Sequence, residues 1–342
     1  MTGHQQRSTG RTGTGLHRMP AISPTTMRGP RRPIHLQIAR LTLAGLAVGL
    51  IMGCQAENRV ALAADPAGMA PKALTLDQPS DTPSAACKPL HTAAAALAPL
   101  SLKQTFADDF NAGSLSVSTW ETHYPGLANI PDNRTLPTNS EQQIYVDKNF
   151  KGANIDPFVF KNGVLSIVVN KTPPENLSTF KKLPYTSGLI TTRHSFEQTY
   201  GYFEIRARMP RGKALWPAFW MLRTQQGWPP EIDIFEVLNG NKPDEIYMTT
   251  HWKEGGVGKH QHTYCQIAVK DSDKVFHNYG VLWTQQRIVY YLDRKPIGEF
   301  ATPAGLDHPM YLLANLAVQK GANDSTPMGA SFDIDWIAAY DF

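Results

Sequence analysis

Three cysteines in 342 residues are too few for a disulfide-built scaffold or an iron–sulfur protein. Charge is scarce as well. Only 18% of residues are Asp, Glu, Lys or Arg, against 42% hydrophobic, which excludes a disordered polyelectrolyte. No apolar run reaches the ~20 residues of a secure transmembrane helix, and no amphipathic helical pattern outlasts three turns. Basic charge is also lacking once its position is considered. Residues 1–53 carry seven Arg and no Lys, Asp or Glu, so the overall +4 leaves −3 on the remainder. A faintly acidic body argues against nucleic acid as a partner. What is abundant is Gly and Pro, 26 each, with 14 Phe, 12 Tyr and 7 Trp, a composition suited to a turn-rich β protein.

The basic N-terminal stretch leads into twelve mostly apolar residues, 41–52, followed by Gly53 and Cys54. A positive flank before a short apolar run predicts an export signal, residues 1–53. Ile51-Met52-Gly53-Cys54 resembles a bacterial lipobox, in which Cys54 is lipidated and becomes the mature N-terminus. An ordinary signal peptide with an incidental Cys54, or an uncleaved anchor, are the competing readings. Residues 54–100 contain 14 Ala and 6 Pro and read as a flexible tether, because Pro breaks the helices that Ala would favour. An outer-membrane or cell-envelope lipoprotein is therefore expected, otherwise a periplasmic or secreted protein. Export permits a disulfide between Cys87 and Cys265 without establishing one.

From residue 101 the pattern changes to strands. In Tyr202-Phe-Glu-Ile-Arg-Ala-Arg208, Phe203, Ile205 and Ala207 alternate with Glu204, Arg206 and Arg208, the period of a half-buried strand. Similar runs recur at 164–170, 187–193, 215–222, 231–237, 245–252, 275–283, 287–293, 309–318 and 331–341. Turn signals such as Lys161-Asn-Gly163 and Asp293-Arg-Lys-Pro296 separate them. The expectation is one all-β domain over 101–342, an antiparallel sandwich or barrel.

Chemistry concentrates at Glu231-Ile-Asp-Ile-Phe-Glu236. In a regular strand Glu231 and Asp233 share a face while Glu236 points away. A one-residue bulge between Asp233 and Glu236 would return Glu236 to that face, leaving Ile232 and Ile234 for the core. Clustered carboxylates repel, so their proton affinities must separate. One ionised and one protonated carboxylate is the pair that glycoside hydrolysis uses. A solvated acidic face is the competing reading, but the flanking Trp216, Trp220 and Trp228 offer indole faces for sugar rings. Since a Trp in a β protein is more often core, two of the three are expected to be platforms.

Tyr200-Gly-Tyr-Phe-Glu-Ile-Arg-Ala-Arg-Met-Pro210, Leu215-Trp-Pro-Ala-Phe-Trp-Met-Leu222 and Glu231–Glu236 together resemble glycoside hydrolase family 16, the laminarinase-like β-glucanases. The resemblance extends over about residues 104–342 and includes Asn315-Leu-Ala-Val318 and Phe332-Asp-Ile-Asp-Trp336. It implies a β-jelly roll of two curved antiparallel sheets with a substrate cleft on the concave face. It implies Glu231 as nucleophile, Glu236 as general acid/base and Asp233 hydrogen-bonded to the nucleophile. The bulged spacing resembles the laminarinase-type branch. His251 matches a histidine near the cleaved bond, and Asn139 and Glu141 match a segment lining the donor side, with a core or turn role as the competing reading of each. No cofactor is implied for catalysis. A structural calcium is implied, with Asp109 and Asp335 the matching candidates. The family's frequent Gly-Gly after the Asn-Leu-Ala-Val run is here Gln319-Lys320, which alters the cleft rim. His260, His262 and Cys265 fit no common zinc spacing.

The resulting expectation is a monomeric retaining endo-β-glycosidase acting on a polysaccharide, β-1,3-glucan or a bacterial exopolysaccharide, and touching a membrane only through its lipid anchor. A transglycosylase using the same residues and a non-catalytic glucan-binding module are the alternatives.

Overall fold

The computed structural model describes residues 102–126, 131–225 and 227–342. The export signal, the lipobox with Cys54, and the tether with Cys87 lie outside the described residues.

The described residues form seventeen strands and short 3-10 turns, with no α-helix among them. In chain order the strands are β1 (Lys103–Asp108), β2 (Gln143–Tyr145), β3 (Phe158–Lys161), β4 (Val164–Val168), β5 (Asn170–Lys171) and β6 (Tyr185–Ser187). They continue with β7 (Leu189–Thr191), β8 (Gly201–Arg208), β9 (Leu215–Arg223), β10 (Glu231–Glu236), β11 (Glu245–Lys253) and β12 (His260–Ala268). The last five are β13 (His277–Trp283), β14 (Arg287–Leu292), β15 (Lys295–Ala301), β16 (Met310–Val318) and β17 (Ser331–Asp341).

An eight-stranded sheet runs β15-β14-β13-β8-β17-β4-β3, with β1 added to β17. A six-stranded sheet runs β12-β11-β10-β9-β16-β7. Pairing within both is antiparallel, which fits the sandwich read from the strand pattern, and the two pack as the β-jelly roll that the family resemblance implied. A small sheet, β2-β6-β5, adds a third layer of strand pairing. The turn signals act as read: Asn162 with Gly163, and Asp293 with Arg294, adopt the left-handed backbone that a tight hairpin turn requires.

Strict alternation assigns each strand's two faces. In β9, Leu215, Phe219 and Met221 enter the core between the main sheets. Met310, Leu312, Ala314, Leu316 and Val318 of β16 do the same. The opposite parity, Trp216, Ala218, Trp220 and Leu222 with Tyr311, Asn315 and Ala317, lines a cleft on the outer face of the six-stranded sheet.

One strand departs from its sequence reading. The polar face of β8 is not half-solvated throughout: Glu204 is fully buried there. A second apolar cluster, with Tyr202, Leu282, Tyr291 and Tyr340, covers that face, and Tyr202 lies across Gly280, where any Cβ would collide with its hydroxyl. A carboxylate in that position requires partners. Arg294 supplies one at 3.1 Å and the Tyr202 hydroxyl donates another at 2.9 Å.

Candidate active site

The cleft has a volume of about 860 Å³. Its floor is the outer face of β9, β10, β11 and β16, and one wall comes from residues 124–126 and 136–141. At its centre lies β10. The register shifts between Asp233 and Glu236 against β11, and between Asp233 and Phe235 against β9. This is the expected bulge. Its physical cause is visible beneath it: both Ile234 and Phe235 are in the core, where Phe235 packs 4.8 Å from Tyr279 and 5.7 Å from Phe332 by ring centroids. Two consecutive apolar residues turned inward leave Glu236 on the outer face with Glu231 and Asp233. All three carboxylates line the cleft.

Each is differently served. The Trp228 indole N–H donates to Glu231 Oε2. The Trp216 indole N–H donates to Glu236 Oε1 at 3.0 Å. Asp233 is the most buried, 2% exposed, and interacts with Glu231 through a hydrogen bond. His251 Nε2 stands 3.3 Å from Asp233 Oδ2, an ion-pair distance off the line of a hydrogen bond.

Burial raises the proton affinity of all three carboxyl groups, and their mutual repulsion adds to it. Glu236 is pushed up to about 8, by burial first and then by the charge of Glu231, against the lowering effect of Trp216. Glu231 is raised by burial and by Asp233, and is drawn back down by His251 and by Trp228. Burial lowers His251, so its imidazole favours the neutral form. The cluster therefore holds protons at neutral pH, with Glu236 keeping its own and Glu231 and Asp233 sharing a hydrogen bond.

The structure separates the three tryptophans. Trp228 is 49% exposed and Trp216 is half-buried at the floor, so both present rings to the cleft. Trp220 is only 8% exposed and is held from the side by the neighbouring strand: its N–H donates to Asn315 Oδ1 at 2.8 Å, and Asn315 Nδ2 donates to the Tyr145 hydroxyl at 3.0 Å. Two rings are thus accessible from the cleft, and the third is held within the floor. Asn139 is exposed on the 3-10 turn Pro137–Asn139 and faces the cleft. Glu141 also lines the cleft but is buried, and its Oε2 accepts from the Leu136 backbone N–H at 2.7 Å and Gln143 Nε2 at 2.8 Å. It braces the wall, and its proton affinity is raised to about 7 by burial.

Asn315 and Arg193 also line the cleft and were not singled out from sequence. A signal for Asn315 existed, since it is the lone polar side chain in the otherwise apolar run of β16. Arg193 lies over the Tyr311 ring at 5.4 Å, a contact between residues far apart in the chain that no local pattern announces.

The two candidate calcium ligands have protein partners. Asp335 accepts from Arg206 Nε at 2.9 Å, and Asp109 accepts from the Asn111 backbone and side chain at 3.1 and 2.7 Å. Neither belongs to a trio of acidic, histidine or cysteine ligands; among the described residues that distinction falls to Glu231, Asp233 and His251, whose ligand atoms lie within 4.8 Å of one another. The Trp228 N–H already serves this trio, and we read it as a hydrogen-bonding cluster. His260 and His262 cannot join Cys265 around zinc, because strand parity puts them on opposite faces of β12. Cys265 is in the core and disulfide-bonded, while the other two cysteines of the chain lie outside the described residues.

Residues 145–338, more than half of the chain, match the family model for glycosyl hydrolases family 16. The chain belongs to glycoside hydrolase family 16. This family 16 chain is 39% identical over 247 residues to an endo-1,3-1,4-beta-glycanase, ExsH, of Rhizobium meliloti (strain 1021), covering 70% of this chain and 52% of that protein. A second endo-1,3-1,4-beta-glycanase of that organism, EglC, is 39% identical over 244 residues, again covering 70% and 52%. The chain thus spans about half the length of these relatives. The laminarinase catalytic domain from Thermotoga maritima MSB8 shares the fold at a TM-score of 0.58 and 27% identity, over 70% of this chain and 98% of that one. The family 16 match contains all of β10 with its three carboxylates, whereas Asn139 and Glu141 precede it.

Proposed function

We propose that this chain is a retaining endo-β-glycosidase that hydrolyses a β-linked polysaccharide by double displacement. The observation that carries the reading is the bulge in β10. It sets Glu236 on the same face as Glu231, and two separate indole N–H groups meet the two carboxyls.

Glu231 is the nucleophile. The proton between it and Asp233 rests on Asp233 as the Glu231 carboxylate attacks the anomeric carbon. The glycosidic C–O bond breaks as Glu236 gives its proton to the leaving oxygen, a role suited to a group held protonated up to about pH 8. Water then attacks the glycosyl-enzyme, with Glu236 accepting its proton, and Glu231 is released. Two inversions preserve the β configuration. Trp216 and Trp228 stack on sugar rings beside the cleaved bond, and the exposed Asn139 contacts the chain from the wall.

The substrate is a β-1,3-glucan or a bacterial exopolysaccharide of mixed linkage. Support comes from the names of relatives, two endo-1,3-1,4-beta-glycanases and a laminarinase. An enzyme tethered through a lipidated Cys54 would stay where such polymers emerge, since two acyl chains give stable membrane retention. Replacing Cys54 by Ser should release the protein from the membrane fraction. The direct test of mechanism is proton NMR of the first product formed on a panel of β-glucans. The β-anomer is expected; an initial α-anomer would mean inversion and would remove Glu231 as nucleophile. Products longer than the substrate would identify transglycosylation instead.

A further inference from the structure

The edge strand β12 places a second histidine against the cleft. His251 Nδ1 and His260 Nε2 are 2.9 Å apart, their rings lie 5.1 Å apart at 26°, and Trp228 packs 4.6 Å from His260. We propose that His260 sets the tautomer of His251, holding its single proton on Nε2, the nitrogen facing Asp233. His260 is then a positioning residue for the carboxylate cluster. The inference rests on the glycosidase reading of Glu231 and Asp233.

A neutral imidazole has one N–H and one lone pair, and the bond made by one nitrogen decides the other. Only one hydrogen fits between His251 Nδ1 and His260 Nε2. If it belongs to His251, a bare lone pair at Nε2 faces Asp233 Oδ2 at 3.3 Å. That oxygen is buried and has no hydrogen-bond partner, so whenever Asp233 is ionised two electron-rich atoms would confront each other with no donor between them. If the hydrogen belongs to His260, His251 turns an N–H towards the carboxylates. His260 is exposed, so water can satisfy its remaining Nδ1 lone pair. The second arrangement removes that repulsion and puts a positive dipole where negative charge accumulates.

The surrounding charges agree. On β10, Glu231 and Asp233 face His251, and both gain from an N–H. On β12, His262 lies 5.8 Å from both other imidazoles. Lys253 is the register partner of His260, and Glu254 and Lys259 belong to the same hairpin. Burial lowers the proton affinity of His251, and burial with its two histidine neighbours lowers that of His260. A neutral pair with one shared hydrogen is therefore the state at neutral pH.

The test compares His260→Phe, which keeps a ring against Trp228 but has no donor, with His260→Gln, whose carboxamide N–H can replace Nε2–H. Two-bond proton–nitrogen NMR of the histidine-labelled full chain reads the His251 tautomer directly. Wild type and His260→Gln should show a protonated Nε2 and a bare Nδ1, and His260→Phe should lose that preference. On a soluble β-glucan, His260→Phe should lower kcat about fivefold, the worth of one neutral hydrogen bond. Its acid limb should move to higher pH with KM unchanged, and His260→Gln should restore both. A wild-type His251 protonated at Nδ1, or a His260→Phe protein with wild-type tautomer and acid limb, would overturn the proposal. A wild type inactive on every β-linked polysaccharide would instead defeat the glycosidase reading, and the NMR arm would still decide the tautomer.

Discussion

Trp228→Phe removes one N–H from the carboxylate cluster while leaving an aromatic face beside His251 and His260. The lost bond is to a group that must be ionised in order to attack. Hydrogen bonds to charged groups contribute ~1.5–3 kcal/mol net. Trp228 is 49% exposed, so water can partly replace its N–H, and the lower figure applies. One pKa unit corresponds to ~1.4 kcal/mol, so the proton affinity of Glu231 should rise by about one unit. The sign follows directly. Trp228 lowers the Glu231 pKa, and its removal lets burial and Asp233 push that pKa higher. The acid limb of kcat/KM against pH should move about one unit upward, lowering the rate about tenfold below the limb. The plateau should fall much less, since the ring remains. The assay is kcat/KM on a soluble β-glucan across the acid range, with thermal unfolding as a control. An unmoved acid limb with a reduced plateau would make Trp228 a sugar platform with no influence on Glu231, and the argument from the indole N–H would fail.

Three further outcomes are expected. Glu231→Ala should be inactive on all substrates, whereas Glu236→Ala should retain attack on aryl glycosides with good leaving groups and yield a β-glycosyl azide when azide is added; equal loss without azide rescue would contradict the assigned roles. Glu236→Gln should be inactive on polysaccharide but more stable above about pH 5: folding raises the Glu236 pKa from 4.5 to about 8, so the native state holds a proton the unfolded chain has released, and wild-type stability falls as pH rises through that window. Melting temperatures of the two proteins from pH 5 to about 8 should therefore diverge, and parallel curves would refute it. Leu312→Ala empties a fully buried core position on β16 and should cost ~2–5 kcal/mol in denaturant unfolding while sparing kcat at low temperature.

Much of the fold is legible because a strand's period forces its residues onto alternate faces. Phe203, Ile205 and Ala207 enter the core as their chemistry demands, and the even and odd members of β9 divide between cleft and core by the same parity. The bulge is legible for the same reason: Glu236 has the wrong parity for its chemistry, and only an extra residue corrects it. Edge and interrupted strands are harder. β12 begins His260-Gln-His-Thr-Tyr264 with its cleft-side residues in solvent, and β15 contains Pro296 and Gly298, so neither shows a clean alternation. The buried Glu204 is equally hidden, since its tolerance depends on Arg294, ninety positions away.

The order of residues along β10 made a shared face for the three carboxylates legible on one condition, a bulge, because parity alone turns Glu236 away; the structure supplied its cause, the inward packing of both Ile234 and Phe235. Residue order could not rank Trp216, Trp220 and Trp228, nor find His260. An indole becomes a platform or a floor according to what lies across the sheet. For Trp220 that is Asn315, which comes from β16, far along the chain. His260 matters because antiparallel pairing of β12 with β11 carries it beside His251. Those relations are set by long-range packing, which distributes hydrogen bonds and desolvation among residues with no local connection.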